Sequence, residues 1–253
     1  MTDTASLETT KPQRHGSHPK SGGGTETRQR RETIPPPAMP RSGQTAPGSA
    51  AGIEYHELVQ TPGVASARIV CTDYCADQIE VREIADIAAF LATHRPAWTH
   101  VRWIHVEGLR DHATIRALAE KYQLHPLAIE DALDPHHRPK AEDYPGIGDL
   151  PGRLFVIARR VQLVDGELRG EQTSLFLGRN TLLSFQETGC GAMDEVRQRC
   201  ANERSRLRQN DVSFLLYSLL DALVDRFFPI LDETSSHLED AEEDVLTRPH
   251  RQS

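Results

Sequence analysis

RLFVIARRVQLVDGELRGEQTSLFLGRNTLLSF occupies residues 153–185, and its reading decides the fold class. Segments 153–164, 168–177 and 181–185 are dense in Val, Leu, Ile and Phe and read as strands. Asp165-Gly166 and Gly178-Arg179-Asn180 supply the turns between them. Strands grouped apart from helices point to an α+β fold. The expectation is an α/β/α layered domain with a mixed, mostly antiparallel sheet flanked by helices, not a doubly wound parallel sheet.

Working toward the N-terminus, residues 67–71, 78–81 and 101–106 also read as strands. A helix is expected over 84–93, with Ile84, Ile87, Ala88 and Leu91 on one face and Pro96 closing it. Asp111 can cap a second helix carrying Ile115, Leu118, Ala119 and Tyr122. A third starts at Pro126, a residue well tolerated in a first turn. Residues 1–51 are rich in Ser, Thr, Gly, Pro and Arg, too poor in apolar groups to offset the entropy of ordering, and are expected to be a disordered tail.

Toward the C-terminus, 192–207 reads as one charged amphipathic helix and a longer one begins near Asp211. Leu216, Leu220, Leu223, Phe227, Leu231, Leu238, Ala241 and Val245 form a stripe close to a heptad seam, with Thr234 as its missing beat. Pro229 removes one backbone bond, so a kink is expected there. The acidic run 239–244 has no obvious cap before Ser253, so the helix is expected to continue beyond this chain. The expected division is a tail at 1–51, an α/β domain at 52–210 and the start of a stalk helix at 211–253.

Composition narrows the function. No stretch has the ~20 consecutive apolar residues of a membrane-spanning helix, and the most apolar segment, 214–231, contains Asp221, Asp225, Arg226 and Pro229. Nothing resembles a secretory signal. The net charge is −8; the tail through Arg41 has seven Lys or Arg against four Asp or Glu, which leaves −11 for the remainder. An acidic body argues against nucleic acid as partner and suits small hard cations. Cys71, Cys75, Cys190 and Cys200 form no CxxC pair and read as reduced cytosolic thiols. No Gly-rich phosphate loop and no Ser or Cys with a positioned His is discernible, so no enzyme is expected.

Three acidic constellations remain. The first, 125–140, packs His125, Glu130, Asp131, Asp134, His136 and His137 into a short helix and its exit. Zinc-ligand spacings such as HExxH are absent, and carboxylates without well-spaced imidazoles suit Mg²⁺. A plainer possibility is a solvated face in which Arg138 and Lys140 partner Glu130 and Asp131. The second is Asp221 with Asp225, four apart on one helix face, where like charges repel unless a cation lies near. The third, 239–244, reads as a solvated face.

Several blocks together resemble the CorA family of magnesium channels. They are WIHVEGL at 103–109, HPLAIEDAL at 125–133, RPK at 138–140, EQTSLFLG at 171–178, LSFQE at 183–187, LLYSLLDALVD at 215–225, FPIL at 228–231 and EEDVL at 242–246. The resemblance implies a cytosolic domain, followed by a stalk helix, in a homopentamer around one pore in the inner membrane. It implies that Mg²⁺ binds weakly between neighbouring domains and favours the closed state, with Co²⁺ or Ni²⁺ as possible passengers. By motif position the metal residues would be Glu130, Asp131 and Asp221, with Asp225 added from its spacing. The Gly-Met-Asn pore signature is absent, and the segment 145–152 and the tail depart from the family pattern. The alternatives are a zinc transporter of the same superfamily, a stand-alone soluble metal-binding protein, and a metal-dependent hydrolase built on His125, His136 and His137.

Overall fold

The computed structural model describes residues 52–146, 152–164 and 167–247; the expectations for 1–51, for most of 145–152 and for the 165–166 turn lie outside them. Seven strands form one sheet: β1 (Arg68–Tyr74), β2 (Ile79–Glu83), β3 (Val101–Glu107), β4 (Lys140–Tyr144), β5 (Arg153–Val164), β6 (Glu167–Leu177) and β7 (Thr181–Gln186). Their order is β2-β1-β3-β7-β6-β5-β4. Among the described residues only β3 and β7 pair in parallel, and every other neighbour is antiparallel. This is the mixed, mostly antiparallel sheet expected from residues 153–185.

Successive strand residues point to opposite faces, and both faces are apolar. Ile104, Phe155, Phe176 and Leu183 face one core, whereas Trp103, Val156, Leu175 and Leu182 face the other. The first core is closed by α1 (Ile87–Ala92), α2 (His112–Tyr122) and α3 (Pro126–Leu133), through Phe90, Ile115, Leu118, Ala128 and Ile129. The second is closed by α4 (Gly191–Ala201), α5 (Arg206–Gln209) and α6 (Val212–Asp225), through Met193, Val196, Leu207, Leu215, Leu219 and Leu223. Burying each such large side chain is worth about 1.5–3 kcal/mol before entropy is charged against it.

Local chemistry sets the helix starts. Asp111 accepts hydrogen bonds from Thr114 N at 3.2 Å and from Ala67 N at 2.9 Å, so it caps α2 and ties it to the start of β1. His125 Nδ1 accepts from Leu127 N at 3.2 Å, and Pro126 opens α3 as expected. Gly108, at φ +106°, makes the turn from β3 toward α2; a Cβ there would lie 3.3 Å from Ala67 Cα.

Four local expectations are corrected. The helix expected over 84–93 begins at Ile87, because Asp86 caps it through Ala89 N and Ile84 N bonds back to Ile69 O. The single helix expected over 192–207 is two, α4 and α5. Asn202 Oδ1 accepts from Arg204 N and Ser205 Oγ from Leu207 N, side-chain bonds that compete with the helical ladder. Strand β4 was not anticipated. The stalk helix is interrupted rather than merely kinked: α6 ends at Asp225, Phe227 N takes a tightened bond to Val224 O, and α7 (Phe228–Thr247) resumes with Pro229 in its first turn. Burial also divides it there. α6 belongs to the second core, whereas α7 has no buried residue.

Candidate metal centre

α3 presents its acidic pair because its other face is committed to the core. Ala128, Ile129 and Ala132 are buried, which leaves Glu130 and Asp131 half-buried at the helix flank. Gly52 N donates to Glu130 Oε2 at 2.6 Å. Asp131 is engaged at both oxygens: His137 Nε2 lies 3.1 Å from Oδ1 and Lys140 Nζ 2.6 Å from Oδ2. The backbone is pinned as well, since Gln172 Nε2 on β6 donates to Asp131 O at 2.9 Å.

Lys140 opens β4, on which Lys140, Glu142 and Tyr144 share a face. Its ammonium also donates to Glu142 Oε2 at 2.7 Å, an atom that accepts from Tyr144 Oη at 2.8 Å, and it sits 5.7 Å from the Phe155 ring centroid. Burial draws the Lys140 pKa down, but the hydrogen bonds to Asp131 and Glu142 outweigh it and the net shift is upward. Of the partnership expected from sequence, the Lys140–Asp131 pair is formed, whereas Glu130 accepts from Gly52 N instead. What the sequence did not signal is that His137 takes the other oxygen.

The second acidic pair sits on α6. Asp221 is half-buried and lines a surface cleft of about 610 Å³ with Arg199, Ser205, Arg206 and Phe214. Asp225 is exposed in the last turn, and the next residue, Arg226, pairs with Glu195. Because α3 covers one face of the sheet and α6 the other, the two acidic pairs lie on opposite sides of the domain. Among the described residues no three of His, Cys, Asp and Glu converge as a metal-binding group. The histidines follow separate duties: His125 caps α3 and stacks on Tyr144 at 4.5 Å, His136 is exposed, and His137 meets Asp131. All four cysteines are free thiols, and burial pushes Cys71 and Cys200 up to about 12.

The family model of the CorA-like Mg²⁺ transporter protein matches residues 98–253. The chain belongs to this family. A cobalt/magnesium transport protein CorA from Thermotoga maritima is 34% identical over 151 residues, 60% of this chain and 42% of the relative. A putative metal ion transporter, YfjQ from Bacillus subtilis, is 29% identical over 149 residues, 59% and 43% of the two chains. This CorA-family chain thus spans less than half the length of these curated relatives. Its fold matches the soluble domain of CorA from Methanocaldococcus jannaschii with a TM-score of 0.54 over 73% of this chain and 66% of that one, at 16% identity. The ZntB cytoplasmic domain from Vibrio parahaemolyticus aligns with a TM-score of 0.51 over 70% and 65%, again at 16% identity. At such identities the likeness is one of fold. No helix among the described residues of this CorA-family chain is long and apolar enough to cross a membrane.

Proposed function

We propose that this chain is the cytosolic sensing domain of a pentameric, membrane-embedded divalent-cation channel. Mg²⁺ binds between neighbouring subunits, with Glu130 and Asp131 on one side and Asp221 and Asp225 on the other, and favours the closed state. The carrying observation is the placement of the two acidic pairs on opposite sheet faces of a CorA-family chain. Carboxylates so placed can share an ion only across a subunit boundary. They repel when empty and are bridged when the cation is present, so the cation shifts the population by its differential affinity for the two arrangements.

The donor set fits a hydrated Mg²⁺. It consists of carboxylate oxygens, half-buried at Glu130, Asp131 and Asp221 and exposed at Asp225, which suits an ion that keeps several waters and takes one or two protein ligands. Zinc, which prefers imidazole and thiolate, would find one imidazole on the proposed ligands, His137 beside Asp131 Oδ1, and no thiolate beside them. Co²⁺ and Ni²⁺ remain candidate passengers.

The test is chymotryptic cleavage of the complete gene product with and without Mg²⁺. Mg²⁺ should slow cleavage, and Asp131→Ala should remove most of that protection. Full protection in the variant removes Asp131 from the ligand set.

A further inference from the structure

Asp131 is already occupied by a cation of its own chain, Lys140. Lys140 is held at three points, by Asp131, by Glu142 and against the Phe155 ring, and its side chain is 19% exposed. It is not a loose surface lysine. We propose that Lys140 is a built-in counter-cation that neutralises Asp131 in the ion-free state, yields it to Mg²⁺ on binding, and thereby sets how much Mg²⁺ the sensor requires. The inference rests on the reading of Asp131 as a Mg²⁺ ligand.

The geometry supplies the route. Lys140 bonds Asp131 Oδ2 at 2.6 Å and Glu142 Oε2 at 2.7 Å, so a second carboxylate on its own strand stands ready to keep the ammonium. Glu142 is fixed in turn by Tyr144 Oη at 2.8 Å. The lysine can shift toward Glu142, which already accepts from it, and no charge is stranded. An incoming hydrated Mg²⁺ meets a carboxylate whose charge is largely balanced and must compete for it. Without Lys140, the region retains Glu130, Asp131 and Glu142 with His137 on Oδ1. That is a stronger attractor for a divalent ion. Removing an opposite charge at hydrogen-bond distance removes the ion's direct competitor for the carboxylate, so the required Mg²⁺ should fall by up to about tenfold.

The experiment is a Mg²⁺ titration of chymotryptic protection in the complete gene product, a protease whose sites Lys140 substitutions leave intact. Lys140→Met should lower the half-protecting Mg²⁺ concentration by up to about tenfold. Lys140→Arg, which keeps the charge, should stay near wild type. Glu142→Gln should shift the midpoint upward, because it takes away the lysine's alternative partner; this exposed substitution carries the test if Lys140→Met folds poorly, as a thermal melt would show. In an Asp131→Ala background Lys140→Met should have no further effect. An altered Asp131→Ala response with an unmoved or raised midpoint in Lys140→Met overturns the counter-cation. An Asp131→Ala protein with an unaltered response overturns the ligand reading and this inference with it.

Discussion

Replacing Asp73 with alanine would leave a guanidinium without its carboxylate inside the sheet. Asp73 on β1 is fully buried and takes two bonds from Arg102 on β3, Nε to Oδ1 at 2.7 Å and Nη2 to Oδ2 at 2.8 Å. Arg82 on β2 adds a third, from Nη2 to Oδ2 at 3.0 Å. Arg102 is itself only 6% exposed and cannot turn to water, whereas the Arg82 side chain is 35% exposed and can. Removing one partner of a buried pair costs about 3–5 kcal/mol, because the other charge stays buried. Against a total stability of about 5–15 kcal/mol this is a large fraction, and it corresponds to a fall of about 10 °C in Tm for a domain of this size. Arg82→Gln should cost no more than about 1 kcal/mol, as for a solvent-accessible pair. Asp73→Leu combined with Arg102→Met should recover most of the loss, since a packed apolar pair carries no stranded charge. Urea and thermal melts measure all three. An Asp73→Ala cost as small as that of Arg82→Gln, or a double variant no better than the single, would refute the reasoning.

Acid should destabilise the domain through a second buried network. Trp103 Nε1 donates to Ser184 Oγ at 2.8 Å; the hydroxyl then donates to His105 Nδ1 at 2.8 Å, which leaves Nε2–H to donate to Glu107 Oε1 at 3.2 Å. Burial lowers the His105 pKa from 6.5, and the His105 hydrogen bond, aided by Arg68, lowers Glu107 from 4.5 to about 2. Below pH 6.5 the unfolded chain therefore takes up the histidine proton first, and below 4.5 it takes up the glutamate proton first, so stability is lost as pH falls through both windows. Tm should decline from pH 6.5 downward, and Glu107→Gln should flatten the limb below 4.5; an unchanged limb would remove Glu107 from the account. Leu219→Ala, at a fully buried α6 site, should cost about 2–5 kcal/mol. Leu238→Ala, at an α7 site 66% exposed, should stay within about 0.5 kcal/mol in this chain, and comparable losses would mean α7 is packed like α6.

Much of this architecture was legible because it rests on short-range chemistry. Residues 154–158, 175–177 and 182–185 alternate between two cores, Asp111 caps α2 as expected, and Pro126 opens α3 as expected. Strand β4 was invisible for a physical reason. Lys140, Glu142 and Asp143 give it no apolar period, and only its pairing with β5 at the sheet edge makes it a strand. The stripe from Leu216 to Val245 is periodic apart from Thr234, yet periodicity cannot say what covers it: Leu223 is buried and Leu238 is not. The same boundary limits the site. Glu130, Asp131, Asp221 and Asp225 were found by residue type and spacing, whereas their division between opposite faces follows from strand order. The clasp of His137 and Lys140 on Asp131 depends on where α3 exits beside β4.

The central claim, that the cation is held between subunits, is tested most directly by mixing. Asp131→Ala and Asp221→Ala versions of the complete gene product should each lose Mg²⁺-dependent protection from chymotrypsin. Oligomers assembled from both should regain part of it, because an interface pairing Asp131 of one subunit with Asp221 of its neighbour is again complete. Mixed oligomers as unprotected as either parent would contradict a site shared across the boundary.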